Sequence, residues 1–231
     1  MNLNRNPFAK QAFSPVTMDA TQANTVLKNT YFMLSLTLIF SAFTAWLAMA
    51  TNASPVNIFI MLIIMIGFPF LLGRIQNSAW AIPATFLYTG FVGWTLGPIL
   101  NMYIKEFSNG PSLIMLALGS TGLIFLVLSA IALNPKRDFT GIGSFLTVGV
   151  IIAIVASLIN IFFLHLPAFQ VALSVVFALI SGGYILYTTN SIVHGGCNNY
   201  IIATVMLYVS LVNIFLTMLQ LLSLFGGNRN S

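Results

Sequence analysis

The longest uncharged stretch of this sequence constrains its fold most. From Phe139 to Asn228, 90 consecutive residues include no Asp, Glu, Lys or Arg. In the whole chain of 231 residues, 58% are hydrophobic and 5% are charged, whereas a soluble domain carries about 25% charged residues. So few charges cannot cover a surface that faces water, and the apolar excess must therefore face lipid. We expect an integral membrane protein.

The remaining charges fall at the borders of apolar segments, each long enough for a helix of about 20 residues to cross a bilayer. Turn-forming residues at 51–55, 165–167 and 191–199 divide the longer segments. This division predicts an all-α fold with seven transmembrane helices, at residues 30–50, 56–73, 79–104, 112–133, 141–164, 168–189 and 200–225. It predicts three regions: a disordered tail at 1–29, a transmembrane domain at 30–225 and a short tail at 226–231.

Lys and Arg are distributed unevenly between the two sides of this topology. The side of the N-terminus carries six of the eight, namely Arg5, Lys10, Lys28, Arg74, Lys136 and Arg137. The opposite side carries Lys105 and Arg229. Because loops rich in Lys and Arg stay in the cytoplasm, we expect a cytoplasmic N-terminus and, after seven crossings, a C-terminus outside. A re-entrant last segment would instead return Arg229 to the cytoplasm.

Residues that usually carry chemistry are scarce. No charged residue lies inside a predicted span, which argues against ion-coupled transporters, voltage sensors and retinal proteins. His165 and His194 fall at span ends, which disfavours an intramembrane Ser–His protease. With three acidic residues, two histidines and the single Cys197, we expect no metal site, no cofactor and no enzymatic activity. Loop charges explain the net charge of +5, and no basic cluster longer than Lys136–Arg137 supports nucleic-acid binding.

The last two spans carry regularly spaced polar residues. Ser210, Asn213, Thr217 and Gln220 recur at intervals of three, four and three, so they share one face of the last helix, here called the polar stripe. The sixth span has a sparser series, Ser174, Ser181 and Thr188. In lipid such faces turn inward to find hydrogen-bond partners. They predict either interhelical hydrogen bonds or the wall of a narrow polar cavity.

The third span carries small residues on one face. Gly90, Gly93 and Gly97 lie together there, and Pro98 follows them directly. Glycines spaced in this way let a neighbouring helix approach closely. Two interpretations remain open, of which the first is favoured: close packing against another helix, or a hinge at Pro98.

Several of these stretches together resemble one known family. Residues 189–196 (TNSIVHGG), 199–201 (NYI) and 207–215 (LYVSLVNIF) resemble the C-terminal signature of the transmembrane Bax inhibitor motif family. Residues 89–100 (TGFVGWTLGPIL) and 29–37 (NTYFMLSLT) resemble the same family, in its bacterial YccA-like branch. The resemblance implies six helices around a central, more polar C-terminal helix. It also implies a bacterial inner membrane. The orientation expected from the charges then gives a cytoplasmic N-terminus and a periplasmic C-terminus.

The resemblance implies function as well. For the YccA-like branch it implies a protein that associates with the membrane-anchored AAA protease FtsH and restrains it. For the wider family it implies a pH-sensitive calcium leak that depends on two carboxylates, one in each of the last two helices. Thr188 and Ser210 stand at those two positions here, and Arg74 is the candidate for a basic residue beside them. A calcium path needs hard carboxylate oxygens, so their replacement weakens the leak hypothesis.

Three hypotheses follow. The leading one is a lipid-embedded protein that binds and modulates FtsH. The alternative is a pathway for Ca²⁺, protons or small solutes along Ser210, Asn213 and Thr217. The third is a structural membrane protein with neither conduction nor a protease partner.

Overall fold

A computed structural model describes residues 20–228, and its seven long elements are all α-helices. They are α1 (Ala20–Ala50), α2 (Ile58–Ile75), α3 (Ala81–Glu106), α4 (Gly110–Ala132), α5 (Gly143–Ile159), α6 (Pro167–Val193) and α7 (Tyr200–Gly226). A 3-10 turn, Thr140–Ile142, leads into α5, and a π-helical turn, Asn160–Leu164, follows it. The prediction of seven helices is confirmed.

Six of the helices are long and apolar enough to cross a membrane, and α3 is the exception. With 26 residues α3 is long enough, but its glycines, threonines, tyrosines and two prolines lower its mean hydropathy. Many of these residues are buried, among them Thr85, Thr89, Gly90, Gly93 and Thr95. The segment therefore contacts protein more than lipid, which explains its weaker apolar character.

The helices alternate in direction between two faces of the bundle. At the face where α1 begins, here called the N face, Asn199 before α7 donates to Gln76 O after α2. At the face where α7 ends, the C face, Asn101 near the end of α3 donates to Met49 O at the end of α1. There too, Asn109 before α4 donates to Gly226 O. At each face, these hydrogen bonds join loops and helix ends that lie on the same side of the bundle, as seven helices alternating in direction require.

The first helix begins earlier than the sequence suggested. The predicted disordered tail extended to residue 29, but α1 starts at Ala20, and Ala23 in its first turn is buried. The prediction is therefore wrong for residues 20–29, and its remainder, 1–19, lies outside the described residues. The apolar span downstream supplies a helical nucleus, and Gln22, Ala23 and Leu27 are residue types that extend a helix at little cost.

The last helix, α7, is the most buried. Of its most apolar window, 67% of residues are buried inside the structure, against 33% for α1 and 6% for α2. It contacts α1, α2, α3, α4 and α6, whereas α5 packs mainly on α6. The arrangement of six helices around the seventh stays a prediction.

Candidate functional site

The glycines of α3 lie directly against α1. A methyl group added at Gly93 would collide with Ser41 O and the Thr44 hydroxyl. At Gly97 it would come within 2.5 Å of the Ala48 methyl, and at Gly90 within 2.6 Å of the Phe40 ring. The glycine face therefore permits a backbone approach that no other residue allows. Close packing accounts for these contacts, whereas a hinge at Pro98, inside the continuous helix α3, stays a prediction.

A buried tyrosine joins three helices near the middle of the bundle. Tyr208 of α7, 0% exposed, donates its hydroxyl to Thr89 O of α3 at 3.1 Å. The same hydroxyl lies 2.6 Å from Ser41 Oγ of α1. Each of these polar groups thus finds a partner inside the bundle, as a low-dielectric environment requires. Sequence reasoning missed Tyr208, because nothing local to it indicates partners 119 and 167 residues away.

Two asparagines hold the loops of the N face. Asn190 of α6, 0% exposed, donates to Ala132 O and Arg137 O and accepts from Phe139 N, at 2.7–3.0 Å. All three partners belong to the end of α4 or to the loop after it. The α4–α5 loop is therefore fastened to α6. Asn190 lies within the family-like stretch 189–196, but its clamping role could not be read from that stretch.

Asn199 does the same for the α2–α3 loop. Its amide donates to Gln76 O and to Asn77 Oδ1, while its own Oδ1 accepts from Ile201 N and Ile202 N. The side chain therefore caps α7 and also ties it to the α2–α3 loop. Beside it, burial raises the pKa of the Cys197 thiol.

The charged side chains of the N face are exposed. Lys136, Arg137 and Asp138 all point to solvent in the clamped α4–α5 loop. Hydrogen bonds from the Thr140 hydroxyl and amide lower the pKa of Asp138, and His194 adds a smaller electrostatic contribution in the same direction. Arg74, in the last turn of α2, is exposed as well. Its position beside a polar cavity stays a prediction.

The two hydroxyls that stand where the family resemblance implies carboxylates are both buried, and both contact Met206. Thr188 Oγ1 lies 3.8 Å from Met206 Sδ, and Ser210 Oγ donates to Met206 O at 2.8 Å. Thr188 thus contacts the side chain of Met206, and Ser210 contacts its backbone carbonyl. Thr188 is 1% and Ser210 3% exposed. At this end of the polar stripe, the hydroxyl groups are enclosed by protein.

The other end of the stripe opens into a pocket, here called the α6–α7 pocket. It has a volume of about 160 Å³ and is lined by Ser174, Phe177, Asn213, Leu216, Thr217 and Gln220. Thr217 donates its hydroxyl across the pocket wall to Ser174 O at 2.9 Å. Thr217 therefore joins two helices, and Asn213 and Gln220 line the pocket. The interpretation of the stripe as the wall of a narrow polar cavity stays a prediction.

A larger, mainly apolar groove of about 320 Å³ lies between α1, α3, α4 and α7. Its lining includes the exposed side chains of Trp46 and Leu118 and the hydroxyl-bearing residues Ser41 and Thr121. Within residues 20–228 no three His, Cys, Asp or Glu side chains gather as a metal site would require.

Comparison with known proteins covers almost the whole chain. A family model described as "Inhibitor of apoptosis-promoting Bax1" matches residues 23–229. The chain is 44% identical over 197 residues to the Escherichia coli K12 protein named "Modulator of FtsH protease YccA", covering 85% of this chain and 89% of that protein. It is 43% identical over 208 residues to a membrane protein of Vibrio cholerae, covering 90% and 92%. A protein of Pseudomonas aeruginosa is 43% identical over 203 residues, covering 88% and 90%.

Proposed function

The chain belongs to the Bax inhibitor family of membrane proteins, and we propose that it is an inner-membrane protein that binds the FtsH protease and modulates it. The observation that carries this proposal is the alignment with the modulator of E. coli, which is 44% identical over 197 residues. The aligned length includes most of the bundle, so the likeness concerns the whole scaffold and not one motif.

The distribution of charge supports an orientation for this proposal. Among the described residues, Lys28, Arg74, Lys136 and Arg137 belong to the N face, and Lys105 belongs to the C face. Because positively charged loops remain in the cytoplasm, we place the N face there and the end of α7 in the periplasm. The protease would then meet the two loops that Asn190 and Asn199 fasten, with α7 as the axis of the six other helices.

We infer that modulation works by binding and not by chemistry. The interior of the spans offers hydroxyls and amides such as Ser41, Thr188, Ser210 and Asn213, which do not ionise near neutral pH. Groups of this kind position and recognise partners more readily than they transfer protons.

Affinity capture tests the proposal directly. A tagged copy of the full chain is expressed in bacterial membranes, captured in mild detergent and analysed by mass spectrometry. We expect FtsH to be enriched over a capture with an unrelated multi-pass protein at the same expression level. Overproduction of the chain should also lengthen the half-life of an FtsH membrane substrate. Absence of FtsH from the captured material would overturn the proposal.

A second candidate function is a leak for ions or small polar solutes. The α6–α7 pocket favours it, since about 160 Å³ of space beside Asn213 and Gln220 could hold several water molecules. Against it, the pocket ends toward Thr188 and Ser210, where the side chains are buried around Met206. Flux measurements in liposomes separate the two candidates.

A further inference from the structure

Two amide side chains lie deep in the membrane-spanning part of α7. This helix has 27 residues and is therefore about 40 Å long, and Asn213 is at its midpoint. Gln220 follows two turns later, about 10 Å nearer the C face. Because the hydrocarbon core is about 30 Å thick, both amides fall within it. Their spacing of seven residues places them on one face.

Neither amide has a hydrogen-bond partner within residues 20–228. Asn213 and Gln220 are half-buried, and both line the α6–α7 pocket. Among these residues, Ser129 Oγ is the one side-chain polar atom that is both fully buried and without a partner. The amide atoms of Asn213 and Gln220 are therefore not fully buried, and they are accessible from the pocket. An amide that faces hydrocarbon without a partner costs several kcal/mol, so these groups require an occupant able both to donate and to accept.

The chemistry of the pocket selects the kind of occupant. Its polar lining consists of the neutral side chains Ser174, Asn213, Thr217 and Gln220, flanked by Phe177 and Leu216. A hard cation would find no carboxylate here. The size, about 160 Å³, is near that of a cavity of roughly 150 Å³ that accepts a benzene-sized molecule. A single uncharged polar side chain with an apolar stem fits both the volume and the lining.

We propose that the α6–α7 pocket docks a transmembrane helix of the protease, which inserts a hydroxyl or amide side chain between Asn213 and Gln220. This inference rests on the proposed function and assigns it a surface. Polar side chains that hydrogen-bond across helices are a usual source of specificity between transmembrane segments. The site lies within the membrane and is separate from the loops of the N face.

The first test removes the amides without changing the volume of the side chains much. Asn213→Leu combined with Gln220→Met should reduce recovery of FtsH by about tenfold, which corresponds to about 1.4 kcal/mol, or two interhelical hydrogen bonds. The melting temperature of the isolated variant should stay equal or rise, because an unpaired amide is replaced by an apolar group. Ser35→Ala is the control: the Ser35 hydroxyl is exposed and already bonded to Tyr31 O, so neither quantity should change.

The second test locates the contact. A photo-crosslinking amino acid at Leu216, on the pocket lining, should capture an FtsH subunit in intact membranes, whereas one at Leu123 on α4, 64% exposed, should not. The crosslink should disappear in the Asn213→Leu, Gln220→Met variant and persist in Ser35→Ala.

Several outcomes would overturn the inference. A fall in melting temperature would show that the amides stabilise the bundle itself. Unchanged recovery of FtsH by the variant, or a Leu216 crosslink only to lipid or to a second copy of the chain, would show that the pocket serves another occupant. In those cases the wild-type chain still captures FtsH, and the proposed function survives. If the wild-type chain does not capture FtsH, the proposed function and this inference both fail.

Discussion

Amide side chains occur in both halves of the α6–α7 pair, but they are used differently. In the half near the N face, Asn190 and Asn199 donate and accept seven hydrogen bonds between them. In the half near the C face, Asn213 and Gln220 line a pocket and have no partner within residues 20–228. The first pair fastens loops, and the second pair is available to something outside the described chain.

The difference distinguishes polar side chains that stabilise the fold from polar side chains that are available to bind a partner. A polar group kept in a membrane must be satisfied, either by the fold or by a partner. Asn190, which is 0% exposed, is satisfied by the fold, so its removal should damage stability. Asn213 is not, so its removal should affect interactions instead. Substitutions of the same type at the two positions therefore test the comparison.

The largest effect is expected for Asn190→Leu. The substitution removes the partner of Ala132 O, which is buried, and the partners of Phe139 N and Arg137 O, which are partly buried. A buried group left without its partner costs about 1–3 kcal/mol, and a partly buried one costs less. We expect a loss of about 3–5 kcal/mol in the free energy of unfolding, measured in mixed micelles. Asn213→Leu is the matched control and should be neutral or stabilising. Equal losses for the two variants would contradict the distinction between the two halves.

A smaller effect is expected at Tyr208, which lies between the two halves. Tyr208→Phe retains the ring but removes the hydroxyl that bonds to Thr89 O and Ser41 Oγ. We expect a loss of about 1–2 kcal/mol in the free energy of unfolding, because Ser41 can turn its hydroxyl to its own helix while Thr89 O stays buried. Tyr103→Phe, in the half-buried end of α3, should change stability little.

Should both tyrosine variants unfold alike, the hydroxyl of Tyr208 would contribute nothing beyond packing of the ring. Proteolysis rates in micelles would then be compared to confirm that both variants retain the native bundle.

The sequence alone predicted the helices and which of their faces are buried, but not which helix each buried face contacts. The spacing of Gly90, Gly93 and Gly97 predicted a close approach because 3.6 residues per turn fixes which side chains share a face. That the neighbour is α1 depends on how the seven helices assemble. The periodicity of one segment carries no information about that assembly. The bonds of Asn190 and Tyr208 join residues 51–167 positions apart, and no local pattern marks them. The start of α1 at Ala20 was missed because polar residues in a helix that extends a long span resemble a coil.

The polar stripe of α7 illustrates the same limit of prediction from sequence within a single helix. Spacing places its four members on one face, yet Ser210 bonds within its own helix, Thr217 bonds to α6, and Asn213 and Gln220 line a pocket. Side-chain length and the position of α6 decide between these outcomes.

The smallest effect is expected for the pH dependence of ion flux. Thr188 and Ser210 occupy the positions at which the family resemblance implies carboxylates, and both hydroxyls are buried around Met206. Histidine is the residue type whose charge changes between pH 6 and 8, and His165 and His194 lie exposed at opposite ends of α6. Calcium flux through the purified chain in liposomes should therefore be small and nearly flat over this range.

Restoring the acids sharpens this last prediction. Thr188→Asp with Ser210→Asp should introduce a pH-dependent flux, because carboxyl groups, unlike hydroxyls, take up and release protons. The two new acids cost at least about 2.5 kcal/mol each on insertion, so expression and melting of the variant are measured first. Thr188→Asn with Ser210→Asn, which adds similar volume without charge, is the matched control and should remain flat. A strong pH-gated calcium flux through the unaltered chain would show that conduction needs neither acid, and the leak would then replace FtsH binding as the better account of the α6–α7 pocket.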